Sequence, residues 1–334
     1  MEWVKMENKK IRIAILGAGS LGSLFGGYLA NNKSETTKVE IIFFCRKAHA
    51  EVIKKSGLTL KTPDEEILIA NIKAFKNENH WSKEGFDYVF LTVKANDVKT
   101  ALIAYKDLLK ASRWLILLQN GIGISETVKK YHPEKQIIRG VTTNGAFLDT
   151  PGHVIHTGFG YTKIGFPFIQ SQDLAKQSFK EHNNALNNLK DLLTEAGLDT
   201  TISENINATC WEKVLVNIGI NPFGALTRLK NGDLLENSII KALMGVAVDE
   251  AMEVAKLKNI NLPKKDYKAL MYDVAIKTSE NKNSMLQDVL KEKKTEIDYI
   301  NGSIVRYAEN FRLKVPINAL LTGLVKGLEE SFEN

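Results

Sequence analysis

Ile11-Arg12-Ile13-Ala14-Ile15-Leu16-Gly17-Ala18-Gly19-Ser20-Leu21-Gly22-Ser23-Leu24-Phe25 decides the first half of the fold. Ile11 to Leu16 is an apolar run of strand length, and Leu21, Leu24, Phe25, Tyr28 and Leu29 then recur at helical spacing. In Gly17-x-Gly19-x-x-Gly22 the first glycine permits a tight turn. The second lets backbone approach a pyrophosphate, and the third allows helix to pack closely on strand. The helix start faces the anion. A lone GxGxxG is weak evidence, but strand before and helix after favour a dinucleotide site over a coincidental turn.

Further strand-like runs follow at Val39 to Phe44, Asp87 to Val93, Trp114 to Leu118 and Ile137 to Thr142, with helix-like stretches between several of them. That alternation predicts an α/β fold with a doubly wound parallel sheet. His153 to Thr157 and Tyr161 to Gly165, around Gly158 and Gly160, read as a terminal hairpin closing the sheet. From about Ser178 amphipathic patterns take over at Ala185–Ala196, Ala208–Ile220, Ile239–Leu257, Lys264–Lys277, Glu296–Phe311 and Ile317–Leu328. Two domains are therefore expected, 1–168 for the nucleotide and 178–334 all-helical, joined through Phe166 to Gln172.

Composition bounds the function. Hydrophobic content of 44% and charged content of 25% in 334 residues describe a globular chain rather than a disordered one. Cys45 and Cys210 form neither a CxxC pair nor a cluster with histidine, so reduced thiols are expected and neither a disulfide framework nor a metal site. No apolar run reaches the roughly 18 residues of a membrane span, and the start lacks a signal core, which predicts a cytoplasmic protein. The net charge of +6 suits anionic ligands. Lysines alternate with glutamates, as in Lys291-Glu292-Lys293-Lys294-Thr295-Glu296, so no nucleic-acid stripe forms.

An NAD-binding sheet should end its second strand on Asp or Glu, yet Phe43-Phe44-Cys45-Arg46-Lys47 offers cations. Arg46 is the candidate for a 2′-phosphate, because a guanidinium pairs bidentately and can stack on adenine; an exposed basic turn is the plainer alternative. Cys45 reads as a packing residue. Two later strand ends, Thr92-Val93-Lys94-Ala95 and Leu118-Gln119-Asn120-Gly121, lie where open α/β sheets bind ligands. Lys94 can meet an anionic group or be a loop lysine. Asn120 can reach the nicotinamide ribose or be a turn residue, with Gly121 relieving crowding.

Asn205 to Pro222 reads as a helix stopped or kinked near its proline, carrying Lys213, Asn217 and Asn221 at i, i+4, i+8 on one face. A solvated polar stripe would explain such spacing. Val214, Leu215, Val216, Ile218 and Ile220 surround it with apolar surface, however, and buried carboxamides need partners such as a polar ligand. Ser284-x-x-Gln287 and Thr295-x-x-Asp298 read as helix starts.

These motifs taken in order resemble the ketopantoate reductase family over nearly the whole chain. They are Gly17 to Gly22, Cys45-Arg46, Val93-Lys94-Ala95, Gln119-Asn120-Gly121, Trp211-Glu212-Lys213 through Asn221-Pro222, Ser284 to Asp288, and Glu296-Ile297-Asp298-Tyr299-Ile300-Asn301-Gly302. The resemblance implies a Rossmann-type domain followed by an all-helical domain, with NADPH and ketopantoate meeting in the cleft between them. It makes Lys213 the general acid and lets Glu296 contact the reacting oxygen or orient that lysine. Asn217, Asn221, Asn281 and Ser284 would hold the substrate's hydroxyl and carboxylate, and Lys94 and Asn120 would bridge cofactor and substrate. The cofactor loop would be Gly17, Ala18, Gly19, Ser20, Leu21 and Gly22, with Arg46. An ordinary lysine is cationic at neutral pH and suits the oxyanion that develops when a C2 ketone is reduced, so no metal is required. The expected partner is a small 2-oxoacid, with no nucleic acid or membrane, and the assembly is left open, a homodimer included. Two rivals stand beside this reading: a reductase of another 2-oxoacid on the same scaffold, and a non-catalytic NADP(H)-binding regulator.

Overall fold

The computed structural model describes residues 9–32, 37–77 and 81–333. Up to residue 205 the elements are β1 (Lys9–Leu16), α1 (Ser20–Ala30), β2 (Thr37–Phe44), α2 (Lys47–Ser56), β3 (Leu58–Lys61), β4 (Glu66–Ile69), β5 (Lys73–Phe75), β6 (Tyr88–Leu91), α3 (Val98–Ala104), α4 (Lys106–Lys110), β7 (Trp114–Leu117), α5 (Ile124–Val128), β8 (Ile137–Thr142), β9 (Gly145–Thr150), β10 (His153–Gly158), β11 (Thr162–Gly165), α6 (Lys180–Glu195) and β12 (Thr200–Ile202). Among the described residues these strands form an eight-stranded sheet, ordered β12-β11-β8-β7-β6-β1-β2-β5, and a four-stranded sheet, β4-β3-β10-β9.

The large sheet is parallel except where β11 meets β8, and Ile13 of β1 lies opposite Ile41 on one side and Tyr88 on the other. Every position of β6, β7 and β8 is buried, as expected for parallel strands covered on both faces. Helix α1 crosses so close that a Cβ on Gly26 would fall 2.2 Å from the Phe43 ring. Full burial of rings such as Phe43 and Phe90 contributes roughly 1.5–3 kcal/mol each.

Two expectations need correction. The runs around Gly158 and Gly160 are not a hairpin: β10 pairs with β9 and β3 in the small sheet, whereas β11 pairs with β8 and β12 in the large one. The expected domain boundary between 168 and 178 is also misplaced. The chain divides into Met1–Gln119 with Ser125–Ile206, and Asn120–Ile124 with Asn207–Asn334. Helix α6 belongs to the first unit because Leu186, Leu189, Leu192 and Leu193 share its core, and the Tyr88 hydroxyl donates to Ala185 O at 2.9 Å. Strand β12 extends its sheet, with Thr200 opposite Thr162. Around residue 178 the secondary structure changes while the folding unit does not.

The second unit is helical: α7 (Ile206–Thr227), α8 (Asp233–Glu236), α9 (Ser238–Leu257), α10 (Tyr267–Lys277), α11 (Ser284–Val289), α12 (Asn301–Asn310) and α13 (Pro316–Glu330). Val214, Leu215 and Ile218 bury one side of α7. Among the described residues no helix is long and apolar enough to cross a membrane.

Burial pushes the imidazoles of His49 and His132 down to about 4. In the unfolded chain they return towards about 6.5, so the unfolded state binds more protons between these values and the fold loses stability as pH falls through that window. Thermal melts across it are expected to show a falling Tm, with the fall reduced in His132→Gln. An unchanged slope in that variant would assign the effect to other groups.

Candidate active site

In the first unit, Gly17 has φ +83°, and a Cβ there would stand 2.8 Å from the Val93 nitrogen. A Cβ on Gly22 would be 2.4 Å from Thr92 Oγ1 and 3.0 Å from Ile15. Both positions are closed by the protein itself. Gly19 differs: a Cβ would meet nothing nearer than Gly17 O at 3.8 Å, leaving the open space that a pyrophosphate needs beside the backbone. Helix α1 starts here with no side-chain cap and no acidic residue in its first turn, so its positive end is neither capped nor neutralised. This cradle fits a dinucleotide diphosphate. Of the other loop residues, Ala18 is buried with its N–H on Phe44 O, Leu21 packs on the core, and the Ser20 hydroxyl accepts from Leu148 N at 3.0 Å.

Arg46 follows β2 as the residue before α2, is exposed, and makes no ion pair among the described residues. Lys47 instead lies 3.7 Å from Glu51. The Cys45 thiol is pushed up to about 12 by burial, in keeping with a packing residue. Lys94 is half-buried ahead of a 3-10 turn, Ala95–Asp97. Gln119 ties the ends of β6 and β7 together by donating to Leu91 O (2.7 Å) and Val93 O (3.2 Å), while its own buried Oε1 has no partner among the described residues.

Two ionisable side chains of the second unit meet at Asn120. Lys213 Nζ donates to Asn120 Oδ1 at 2.8 Å, and Asn120 Nδ2 donates to Glu296 Oε2 at 2.9 Å. The residues flanking Lys213 are otherwise engaged: Trp211 is buried against Tyr307, and Glu212 binds Lys265 at 2.7 Å. Asn120 is placed by its neighbours. Gly121, at φ +90°, passes so close to Tyr299 that a Cβ would lie 2.3 Å from Tyr299 O, and Ile122 N donates to that same oxygen at 2.9 Å. The crowding that selects glycine at 121 therefore comes from protein backbone.

Asn217 and Asn221 follow Lys213 along α7, about 6 Å and 12 Å up the axis. Asn221 is only 4% exposed, yet neither carboxamide makes a side-chain hydrogen bond among the described residues. The solvated-stripe explanation does not suit Asn221. Asn281 and Ser284 are exposed, and their segment is fastened to the end of α7: Asn231 N donates to Asn281 O (3.0 Å), and Asn283 sits against Gly224. The start of α11 is capped by Asn283, whose side chain accepts from Leu286 N, rather than by a Ser284 capping box. At the other expected helix start, Thr295 Oγ1 accepts from Ile297 N and a 3-10 turn precedes α12.

Of the two outcomes expected near Pro222, a stop or a kink, the stop does not occur. Helix α7 continues to Thr227 with the proline inside it. Proline lacks the N–H that would bond the carbonyl four residues earlier, and here Asn301 Nδ2 donates to that carbonyl, Ile218 O, at 3.4 Å. Asn301 also donates to Asn318 Oδ1 (3.0 Å), and Asn318 Nδ2 in turn to Ala247 O (2.9 Å) and Glu250 Oε2 (2.8 Å). Sequence reasoning quoted Asn301 without a role and missed Asn283, Glu250 and Asn318. A proline inside an apolar helix, with its orphaned carbonyl, was the available signal for Asn301.

The first half of the chain, residues 13–167, matches the family described as ketopantoate reductase PanE/ApbA, and residues 205–329 match its C-terminal part. The chain belongs to the ketopantoate reductase family. The 2-dehydropantoate 2-reductase of Pyrococcus abyssi is 36% identical over 96% of this chain and 98% of its own, and that of Archaeoglobus fulgidus 32% over 96% and 99%. Among solved structures, a PanE/ApbA family ketopantoate reductase from Ralstonia eutropha has a TM-score of 0.84 at 28% identity, covering 97% of this chain and all of its own. D-mandelate dehydrogenase with NADH and anilino(oxo)acetate has 0.85 at 27%, with the same coverage.

The proline and Asn301 make a paired prediction. Asn301→Ala leaves Ile218 O and Asn318 Oδ1 short of a donor inside the helical unit, a loss of about 1–3 kcal/mol. In a Pro222→Ala background the restored backbone N–H supplies Ile218 O, so the same substitution should cost less. Urea unfolding of the four proteins checks this, and equal losses in both backgrounds would refute the proline's part.

Proposed function

We propose that this chain reduces 2-dehydropantoate to (R)-pantoate with NADPH, the reductive step of pantothenate and coenzyme A biosynthesis, with Lys213 as the proton donor. The observation that carries the residue assignment is the line Lys213–Asn120–Glu296, an ammonium and a carboxylate held on opposite ends of one carboxamide. Its supporting context is the family membership of the whole chain.

The glycine cradle from Gly17 to Gly22 would hold the diphosphate, Arg46 the 2′-phosphate, and Lys94 and Asn120 the nicotinamide side. When bound, the cofactor supplies the hydride for the C2 ketone. The chain's own part is electrostatic and protic. As negative charge grows on the ketone oxygen, the Lys213 ammonium stabilises it and then donates a proton from Nζ. Asn120, itself held by Glu296, fixes the position of that ammonium, and a preorganised donor costs no reorganisation during reaction. Asn217 and Asn221 offer carboxamides to the substrate hydroxyl and carboxylate, and Asn281 and Ser284 complete that set. A cytoplasmic location fits two buried cysteines without a disulfide, and a homodimer is an assembly for light scattering to test.

A second reading is favoured by the likeness to D-mandelate dehydrogenase, which shows this scaffold in a protein named for a different substrate. The two separate by kcat/KM for ketopantoate, ketoisovalerate, ketopantoyl lactone and phenylglyoxylate, with ketopantoate expected to lead clearly; weak activity on it would favour the second reading.

Lys213→Ala is expected to slow turnover on ketopantoate about 10²-fold or more while NADPH affinity holds. Near-normal turnover would remove its role. Arg46→Ala should weaken NADPH about tenfold or more and leave NADH nearly unchanged, as for loss of a guanidinium–phosphate pair. Equal losses for both cofactors would withdraw the 2′-phosphate contact.

A further inference from the structure

Ser23 and His49 are buried polar residues of the first unit that the reaction does not use, at 0% and 4% exposure. Gly152 N lies 2.8 Å from His49 Nδ1, His49 Nε2 lies 2.9 Å from Ser23 Oγ, and Ser23 Oγ lies 3.4 Å from Ala18 O. The chemistry of these atoms fixes a direction. A backbone N–H can only donate, so Nδ1 of His49 carries the lone pair and its proton sits on Nε2. That proton then goes to Ser23 Oγ, whose own hydroxyl hydrogen goes to the Ala18 carbonyl. The chain runs one way, from Gly152 N–H through imidazole and hydroxyl to Ala18, with every group satisfied.

Its two ends matter. Ala18 lies inside the Gly17 to Gly22 loop, and its carbonyl belongs to the peptide that leads into Gly19, where the backbone is left open. His49 lies in the first turn of α2, whose preceding residue is Arg46; Ala50 N closes that turn on Arg46 O at 3.0 Å. The imidazole therefore joins the segment that would hold the diphosphate to the segment that would hold the 2′-phosphate. Hydrophobic packing alone would let α2 slide on α1 with little penalty. A directional bond between buried groups does not, since a slip leaves polar atoms without partners.

We propose that His49 and Ser23 are positioning residues that set the spacing between the glycine loop and Arg46, and thereby the preference for NADPH over NADH. The inference rests on the assignment of Arg46 to the 2′-phosphate. A purely structural role would weaken both cofactors alike, because both carry the diphosphate. A spacing role weakens NADPH selectively.

The test is the ratio of NADH to NADPH dissociation constants, measured by fluorescence titration on the full chain without substrate. His49→Leu and Ser23→Ala should each lower that ratio by about fivefold, the scale of one net hydrogen bond. His49→Gln should recover most of it, since a carboxamide can accept from Gly152 N–H and donate to Ser23 as the imidazole does. 15N spectra of labelled histidine in the cofactor-free protein should show His49 with its proton on Nε2; a proton on Nδ1 would overturn the direction of the relay and the proposal with it. Arg46→Ala is the control. If it leaves the ratio intact, the Arg46 assignment fails. If it collapses the ratio while folded His49→Leu, His49→Gln and Ser23→Ala keep theirs, the spacing proposal alone is overturned.

Discussion

The carboxamide of Asn120 is the constraint around which a lysine and a glutamate of the second unit are arranged. It is a rigid plane with an acceptor at one end and donors at the other, and the ammonium of Lys213 and the carboxylate of Glu296 take opposite ends. Turning the amide over would face donor to ammonium and oxygen to carboxylate, so its partners fix its orientation. Aspartate at this place would repel Glu296, and serine lacks the span.

That arrangement depends on backbone held from behind. Gly121 and Ile122 lie against Tyr299, and the residues after Tyr299 lead into α12, whose Asn301 reaches the carbonyl that Pro222 leaves without a donor. Thr295, just before Glu296, gives its N–H to Glu329 Oε1 at 2.7 Å, and Ile317 N and Asn318 N both donate to the carboxylate of Glu250. The helix carrying Lys213 and the turn carrying Glu296 are thus fixed by one set of buried and partly buried polar contacts. Such contacts specify geometry more strictly than apolar packing does, because each has a single satisfied arrangement.

What could be read in advance follows from range. The glycine loop, β1 and the apolar strands were legible because strand, turn and helix are written in contiguous residues with local periodicity. The attachment of α6 and β12 to the first unit was not, since Leu186 or Leu193 would look the same packed on any apolar surface, and the pairing of Thr200 with Thr162 has no local mark. The supposed hairpin failed for a related reason: two short runs near glycines suggest a turn but cannot say which sheet each strand will find. At the site, Lys213, Asn120 and Glu296 were each visible as residues of recognisable motifs, yet only the folded chain shows that the asparagine stands between the other two.

At Pro222 the expectation of a stop fails. A proline in an apolar run is read as a stop because its ring removes one hydrogen bond and crowds the preceding turn, a penalty of about 3 kcal/mol in an isolated helix. That penalty is local, and the remedy is not. Asn301 is distant in sequence but supplies Ile218 O with a donor, and the helix runs on past the proline to Thr227. One buried carboxamide from a later helix thus supplies the donor that Pro222 withholds, which no local pattern around the proline announces.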